Sequence, residues 1–153
     1  LDMDARPRGV DGCSAPIYSL PLSALARGFA RLADPAALPA DLAASARRVF
    51  AAMAGAPYLV AGRGRFDTQA METLPGRLIV KGGAEGVWAA AHADSGIGIA
   101  LKVRDGAKRA AEIAMAGLLG RLLAQGQAFD AMATAPVLNA RGRQVGEIRI
   151  ERE

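Results

Sequence analysis

Cysteine, histidine and aromatic residues are scarce in this sequence. Cys13 and His92 are the single cysteine and the single histidine in 153 residues. No intrachain disulfide can form, and zinc-finger clusters, Cys-x-x-Cys redox pairs and His-Glu-x-x-His metalloprotease helices are excluded. A lone thiol fits a reducing compartment, so a cytoplasmic location is expected. Aromatics make up 5% of the chain, and none alternates with the basic residues as in proteins that stack nucleic-acid bases between cationic contacts. The net charge of +4 is scattered over small groups such as Arg47-Arg48, Arg63/Arg65, Lys108-Arg109 and Arg141/Arg143. These read as solvated helix and loop ends, and no nucleic-acid partner is expected. Apolar runs are broken by Gly, Pro or charge well short of the roughly 20 residues of a membrane-spanning helix, so no membrane partner is expected either. The opening LDMDARPRGVDGCSAP lacks the basic start and apolar core of a secretory signal and reads as mid-chain sequence. A Ser-x-x-Lys nucleophile is missing too: Ser14, Ser19, Ser23, Ser45 and Ser95 are followed three residues later by Ile17, Leu22, Ala26, Arg48 and Gly98.

With 52% hydrophobic and 22% charged residues, the chain is suited to one packed domain over residues 1–153. Residues 1–16, with Pro7, Gly9, Gly12 and Pro16, are expected to be irregular. Pro21 opens a helix whose stripe is Leu22, Leu25, Ala26, Phe29, Leu32 and Ala33, and a second helix from Asp41 repeats the spacing with Leu42, Ala46, Val49, Phe50 and Met53. Gly55 and Pro57 stop it. The stretch 58–65 reads as a flexible surface loop without the frame of a phosphate-binding loop, and Asp67 or Thr68 is expected to cap a short helix through Thr73. Three strands follow, Arg77–Lys81, Val87–Ala91 and Ile97–Val103, as an antiparallel meander. Asp105 is expected to cap a helix over about 106–125 that ends at Gly126. Two short strands, Val137–Ala140 and Val145–Ile150, close the chain around Arg141-Gly142-Arg143. The class is α+β, an antiparallel sheet with packed helices.

Chemistry concentrates in Lys81–Val103. Lys81 is followed by Gly82 and Gly83 in a connection too long for a two-residue hairpin turn, which leaves backbone N–H groups free to meet a ligand. Glu85 is placed to pair with Lys81 or to cap the loop. Asp11-Gly12-Cys13 sets a carboxylate and a thiol two residues apart, where both can meet one ligand, although one Asp and one Cys do not complete a metal site. His92 is read as a surface residue in a turn.

Five blocks occur in order: DGCSAP from Asp11 to Pro16, PLSALARGFARLADP, AMAGAPYLVAGRGRFDTQAM, KGGAEGV and GIALKVRDGAKRAA. Together they resemble the bacterial L-asparaginase II family, the type whose fold is similar to serine β-lactamases and glutaminases. The resemblance implies hydrolysis of L-asparagine to L-aspartate and ammonia by a Ser-Lys pair. That pair lies, in the family, before the DGC block, so the chain is expected to be the C-terminal half of such a protein. Lys81 is similar in place to the lysine of the Lys-Thr-Gly box and is the expected catalytic group, with Asp11, Gly82 and Gly83 at the substrate. The resemblance also implies a homodimer. No cofactor is required, but a zinc ion held partly by Cys13, with ligands from the missing half, is implied as an option. The alternatives are a non-catalytic, truncated or partner-binding module of the same fold, and a β-lactamase-like hydrolase of another amide.

Overall fold

In the computed structural model, which describes residues 4–123 and 126–151, the chain runs in order through β1 (Arg8–Val10), β2 (Pro16–Tyr18), α1 (Leu22–Ala33), α2 (Ala40–Gly55), α3 (Pro57–Ala61), α4 (Phe66–Thr73), β3 (Leu78–Gly82), β4 (Val87–His92), β5 (Ile97–Lys102), α5 (Lys108–Leu122), α6 (Gly126–Asp130), β6 (Thr134–Leu138) and β7 (Gln144–Arg149). This is an α+β fold. Its sheets are small and antiparallel: two ribbons, β1–β2 and β6–β7, and a central three-stranded meander, β3–β4–β5.

The meander forms from two short apolar runs, β3 and β4, and the alternating β5, and its register sorts the side chains onto two faces. Leu78 pairs His92, Val80 pairs Ala90 and Gly82 pairs Trp88, while Trp88 pairs Leu101 and Ala90 pairs Ile99. Directly paired residues project to the same side. One face therefore carries Leu78, Val80, Trp88, Ile99 and Leu101. The other carries Ile79, Lys81, Ala89, Ala91, Gly98 and Ala100. Beyond the Val87–Lys102 pair, the second face of β4 and β5 is Gly and Ala only, which lets α1 lie directly on the strands. A Cβ on Gly98 would collide with the backbone of Ala26 and Ala30. Leu78, Ile79 and Val80 are all fully buried, because both faces of the strand are covered. The core continues through Met71 of α4, Ala111, Met115 and Leu119 of α5, and Phe129 of α6.

Several expected details change. Residues 1–16 are not wholly irregular: Gly9 and Ile17 pair in a short ribbon whose three-residue strands are exposed throughout. Strands this short give no periodic signal, and Pro16 is tolerated at a strand start. The apolar stripe of α1 has no fully buried residue, with Phe29, Leu32 and Ala33 packed at the margin of the core. In α2 the buried positions are Ala43, Ala46, Phe50 and Ala54, whereas Leu42 and Val49 are exposed. Alanine defines this buried stripe because it permits close approach. Residues 57–61 form α3 rather than part of a loop, with Pro57 at its first turn. Thr68 is not a cap: it lies inside α4, and its hydroxyl donates to the Gly62 carbonyl at 2.7 Å and the Pro57 carbonyl at 3.3 Å, tying the two helices together. Ala107, not Asp105, occupies the N-cap of α5. Asp105 nonetheless accepts from the Ala107 N–H at 2.8 Å and pairs with Arg109 at 3.2 Å. The expected end of this helix at 124–125 lies outside the described residues, and Gly126 opens α6.

Two glycine substitutions test this packing. Gly98→Ala should destabilise the protein by about 1–3 kcal/mol, because the helix backbone must move aside. Gly28→Ala, at a helix position with open space around it, should stabilise by up to about 1 kcal/mol. Urea-unfolding midpoints are expected to move in opposite directions.

Candidate active site

Lys81, Gly82 and Gly83 lie at the free edge of the meander, where β3 leads into its hairpin with β4. The Gly83 N–H donates to the Val87 carbonyl at 2.8 Å. Because antiparallel strands alternate the direction of their amides, the Gly82 N–H must then point away from β4, out of the sheet. It meets Asp67. This carboxylate accepts from Gly82 N–H at 2.8 Å through Oδ2 and from the Trp88 indole N–H at 2.7 Å through Oδ1. Asp67 is only 6% exposed, and a buried carboxylate is tolerated when strong donors satisfy it. Trp88 in turn lies over Gly82, where a Cβ would come within 2.6 Å of the indole. Phe66 meets the Trp88 ring edge to face at 6.4 Å between centroids. The glycine after Lys81 is therefore required by packing, and the edge is held from behind by α4.

The hairpin, expected to be longer than a two-residue turn and to leave backbone N–H groups free, is instead tightly wound, with the N–H groups of Gly82 and Gly83 both engaged. Val87 N–H donates to the Ala84 carbonyl at 3.2 Å, and the residues between, Glu85 and Gly86, have φ of 56° and 67°, both left-handed as a type I′ turn requires. At Gly86 a Cβ would lie 3.1 Å from Val103 and from Gly106. Glu85 has a Cβ and so bears the cost of this conformation. It does not pair with Lys81, whose ammonium donates instead to the carbonyl of Gly82 at 2.6 Å.

A cleft of about 240 Å³ opens beside this edge, lined among others by Lys81, Gly82 and Gly83 together with Arg65, Glu85 and Lys108. The three sequence-predicted site residues among them, consecutive in the chain, all line the cleft. Asp11 and Cys13 do not join them. They sit exposed in the β1–β2 turn, where Asp11 accepts from Gly12 N–H at 2.8 Å and from the Cys13 thiol at 3.6 Å. Thiol and carboxylate do face each other, as their spacing implied. Among the described residues, however, no group of three or more His, Cys, Asp or Glu could hold a metal ion. Two donors fall short of the four that a structural zinc takes or the three of a catalytic one, so no chemical step is derived through zinc.

His92 corrects its expected place. It ends β4, is 9% exposed, and its Nδ1 lies 2.9 Å from Ser95 Oγ. Its Nε2 is 3.7 Å from Asp94, which pairs with Arg77 at 3.0 Å. This Ser-His-Asp grouping lies at the opposite end of β4 from the cleft. Ser95 Oγ also accepts from Ile97 N–H at 3.4 Å, so the cluster fastens the β4–β5 turn. A larger groove of about 880 Å³ lies among α5, α6 and the β6–β7 ribbon, and its Glu147 and Arg149 pair with each other at 3.7 Å.

A family model described as L-asparaginase II matches residues 1–150. The chain belongs to the L-asparaginase II family. No curated protein matches it. Membership places the chain with asparaginase-type amidohydrolases, and the Lys-Gly-Gly edge is where this member brings a cation to a cleft, with the N–H groups of Gly82 and Gly83 already engaged by Asp67 and Val87. Among the residues that build the site, Asp67 was missed by sequence reasoning, which took it for a helix cap. Its one local signal is a carboxylate set between Phe66 and the Ala70/Met71 pair, on the face of a helix that turns inward.

Asp67→Ala should cost about 3 kcal/mol, because the Gly82 and Trp88 donors lose a charged acceptor. Guanidinium unfolding followed by the fluorescence of Trp88, the sole tryptophan, measures the loss, with Asp67→Asn intermediate. Glu85→Asn is expected to raise stability by about 1 kcal/mol, since Asn tolerates the left-handed turn position. A higher melting temperature by calorimetry is the expected result.

Proposed function

We propose that this chain supplies the Lys81 wall of an L-asparagine amidohydrolase site, converting L-asparagine and water to L-aspartate and ammonia, and that the Ser-Lys nucleophile comes from residues outside these 153. The carrying observation is the Lys81-Gly82-Gly83 edge, pinned by Asp67 and lining a cleft in a member of the L-asparaginase II family. Attack on a carboxamide moves negative charge onto its oxygen. A fixed ammonium beside that oxygen stabilises the tetrahedral intermediate more than the neutral ground state, which is what lowers the barrier. The same ammonium can pass a proton towards the departing ammonia. Its present acceptor, the carbonyl of Gly82, holds it along the strand edge without neutralising it.

A second reading is a non-catalytic module that binds a partner. It is favoured by one observation, the absence of Ser-x-x-Lys from the sequence. Ammonia release from L-asparagine by the full gene product separates the two. Lys81→Ala is expected to lower kcat/KM by roughly 10²-fold or more, the scale of a lost proton-transfer or oxyanion group. Turnover that is unaffected by the substitution would exclude Lys81 from the chemistry, and robust turnover by residues 1–153 alone would place the nucleophile within them.

A further inference from the structure

The charged side chains around the cleft differ in whether they already have partners. Both oxygens of Asp67 are engaged by Gly82 and Trp88. Lys108 pairs with Glu112 at 3.0 Å, and Lys81 donates to the Gly82 carbonyl. Arg65 and Glu85 are the remaining two. Among the described residues neither side chain has a hydrogen-bond or ion-pair partner, and the two do not pair with each other. One cleft therefore presents an unengaged guanidinium and an unengaged carboxylate from two different segments. Arg65 stands at the N-cap position of α4, and Glu85 stands in the hairpin turn.

We propose that Arg65 and Glu85 make the cleft a receptor for a zwitterionic α-amino acid, with Arg65 taking the α-carboxylate and Glu85 the α-ammonium. The rest of the ligand, its side-chain amide, is then directed to Lys81. A guanidinium offers two parallel N–H donors that match both oxygens of a carboxylate. A glutamate accepts from an ammonium and supplies the opposite charge. Oppositely charged groups that share a cleft without closing on each other leave room for a ligand carrying both signs. The volume, about 240 Å³, is below the roughly 300–1,000 Å³ of pockets for drug-sized ligands and suits a single amino acid. The backbone of Glu85 adds a second observation. A turn position with φ of 56° favours Asn or Gly, and side chains held in such conformations cluster at ligand clamps. The assignment of the side-chain end rests on the amidohydrolase reading above, whereas the assignment of the two charged ends rests on the cleft.

Three small ligands separate the two contacts: L-aspartate, which carries both groups, succinate, which lacks the ammonium, and β-alanine, which lacks the α-carboxylate. Each is titrated calorimetrically at low ionic strength into the protein, Arg65→Ala and Glu85→Gln, with circular dichroism confirming that the variants fold. Arg65→Ala is expected to weaken L-aspartate and succinate about tenfold and leave β-alanine unchanged. Glu85→Gln should weaken L-aspartate and β-alanine by a similar factor and leave succinate unchanged. Wild-type binding of L-aspartate that neither variant alters, or that both variants weaken equally for all three ligands, overturns the roles of Arg65 and Glu85 while leaving the amidohydrolase reading intact. A wild-type protein that binds none of the three overturns the receptor assignment, whereas the amidohydrolase reading is decided separately by ammonia release from L-asparagine.

Discussion

The Asp67 carboxylate stands where a fourth strand would otherwise stand. An edge strand exposes amides that seek acceptors, and proteins usually cover or disrupt such edges. Here one buried side chain takes the outward N–H of Gly82 and, with its second oxygen, the indole N–H of Trp88. The edge is thereby finished at a single point, directly beside Lys81. The arrangement depends on the glycine, because any side chain at position 82 would displace the indole. It depends on α4, because the helix sets Phe66 and Asp67 on the same side of the hairpin. If the carboxylate were lost, Lys81 would keep its charge but lose the fixed backbone that aims it.

This constraint also explains why the cleft is small and polar. Asp67 and Trp88 form its floor, the tight turn at Glu85-Gly86 forms one rim, and the segment before α4 brings in Arg65. Gly86 and Gly106 are pressed together at the back of the turn, so the rim cannot collapse onto the strand. The chain belongs to the L-asparaginase II family, and the geometry supplies a cation beside a confined space. The β1–β2 turn with Asp11 and Cys13 stands apart from this construction.

Legibility varied with the range of the signal. The meander was readable because Ile97 to Val103 alternate and Leu78 to Val80 form a short apolar run, β-branched at Ile79 and Val80, between turn residues, and α5 was readable from its long apolar stripe. α3 and the β1–β2 ribbon were not, since five and three residues are too few to show a period. In α2 the expectation that Leu42 and Val49 face the core failed, because the helix turns its alanines inward and leaves larger apolar side chains in solvent. His92 was misplaced for a related reason. A turn sequence says little about whether the imidazole points out or folds back onto Ser95.

The amino-acid order by itself determined the class of fold, the Lys-Gly-Gly motif and the absence of a Ser-x-x-Lys nucleophile, all of which are local patterns carried by neighbouring residues. Tertiary structure decided everything that needs two distant segments to meet. Asp67 and Trp88 are 21 positions apart, and nothing in either segment announces that the carboxylate will accept a hydrogen bond from the indole. Arg65 and Glu85 line one cleft only because α4 docks against the edge of β3. Hydrogen bonds and ion pairs reward proximity in space, and proximity in space is set by the packed core rather than by the order of the chain.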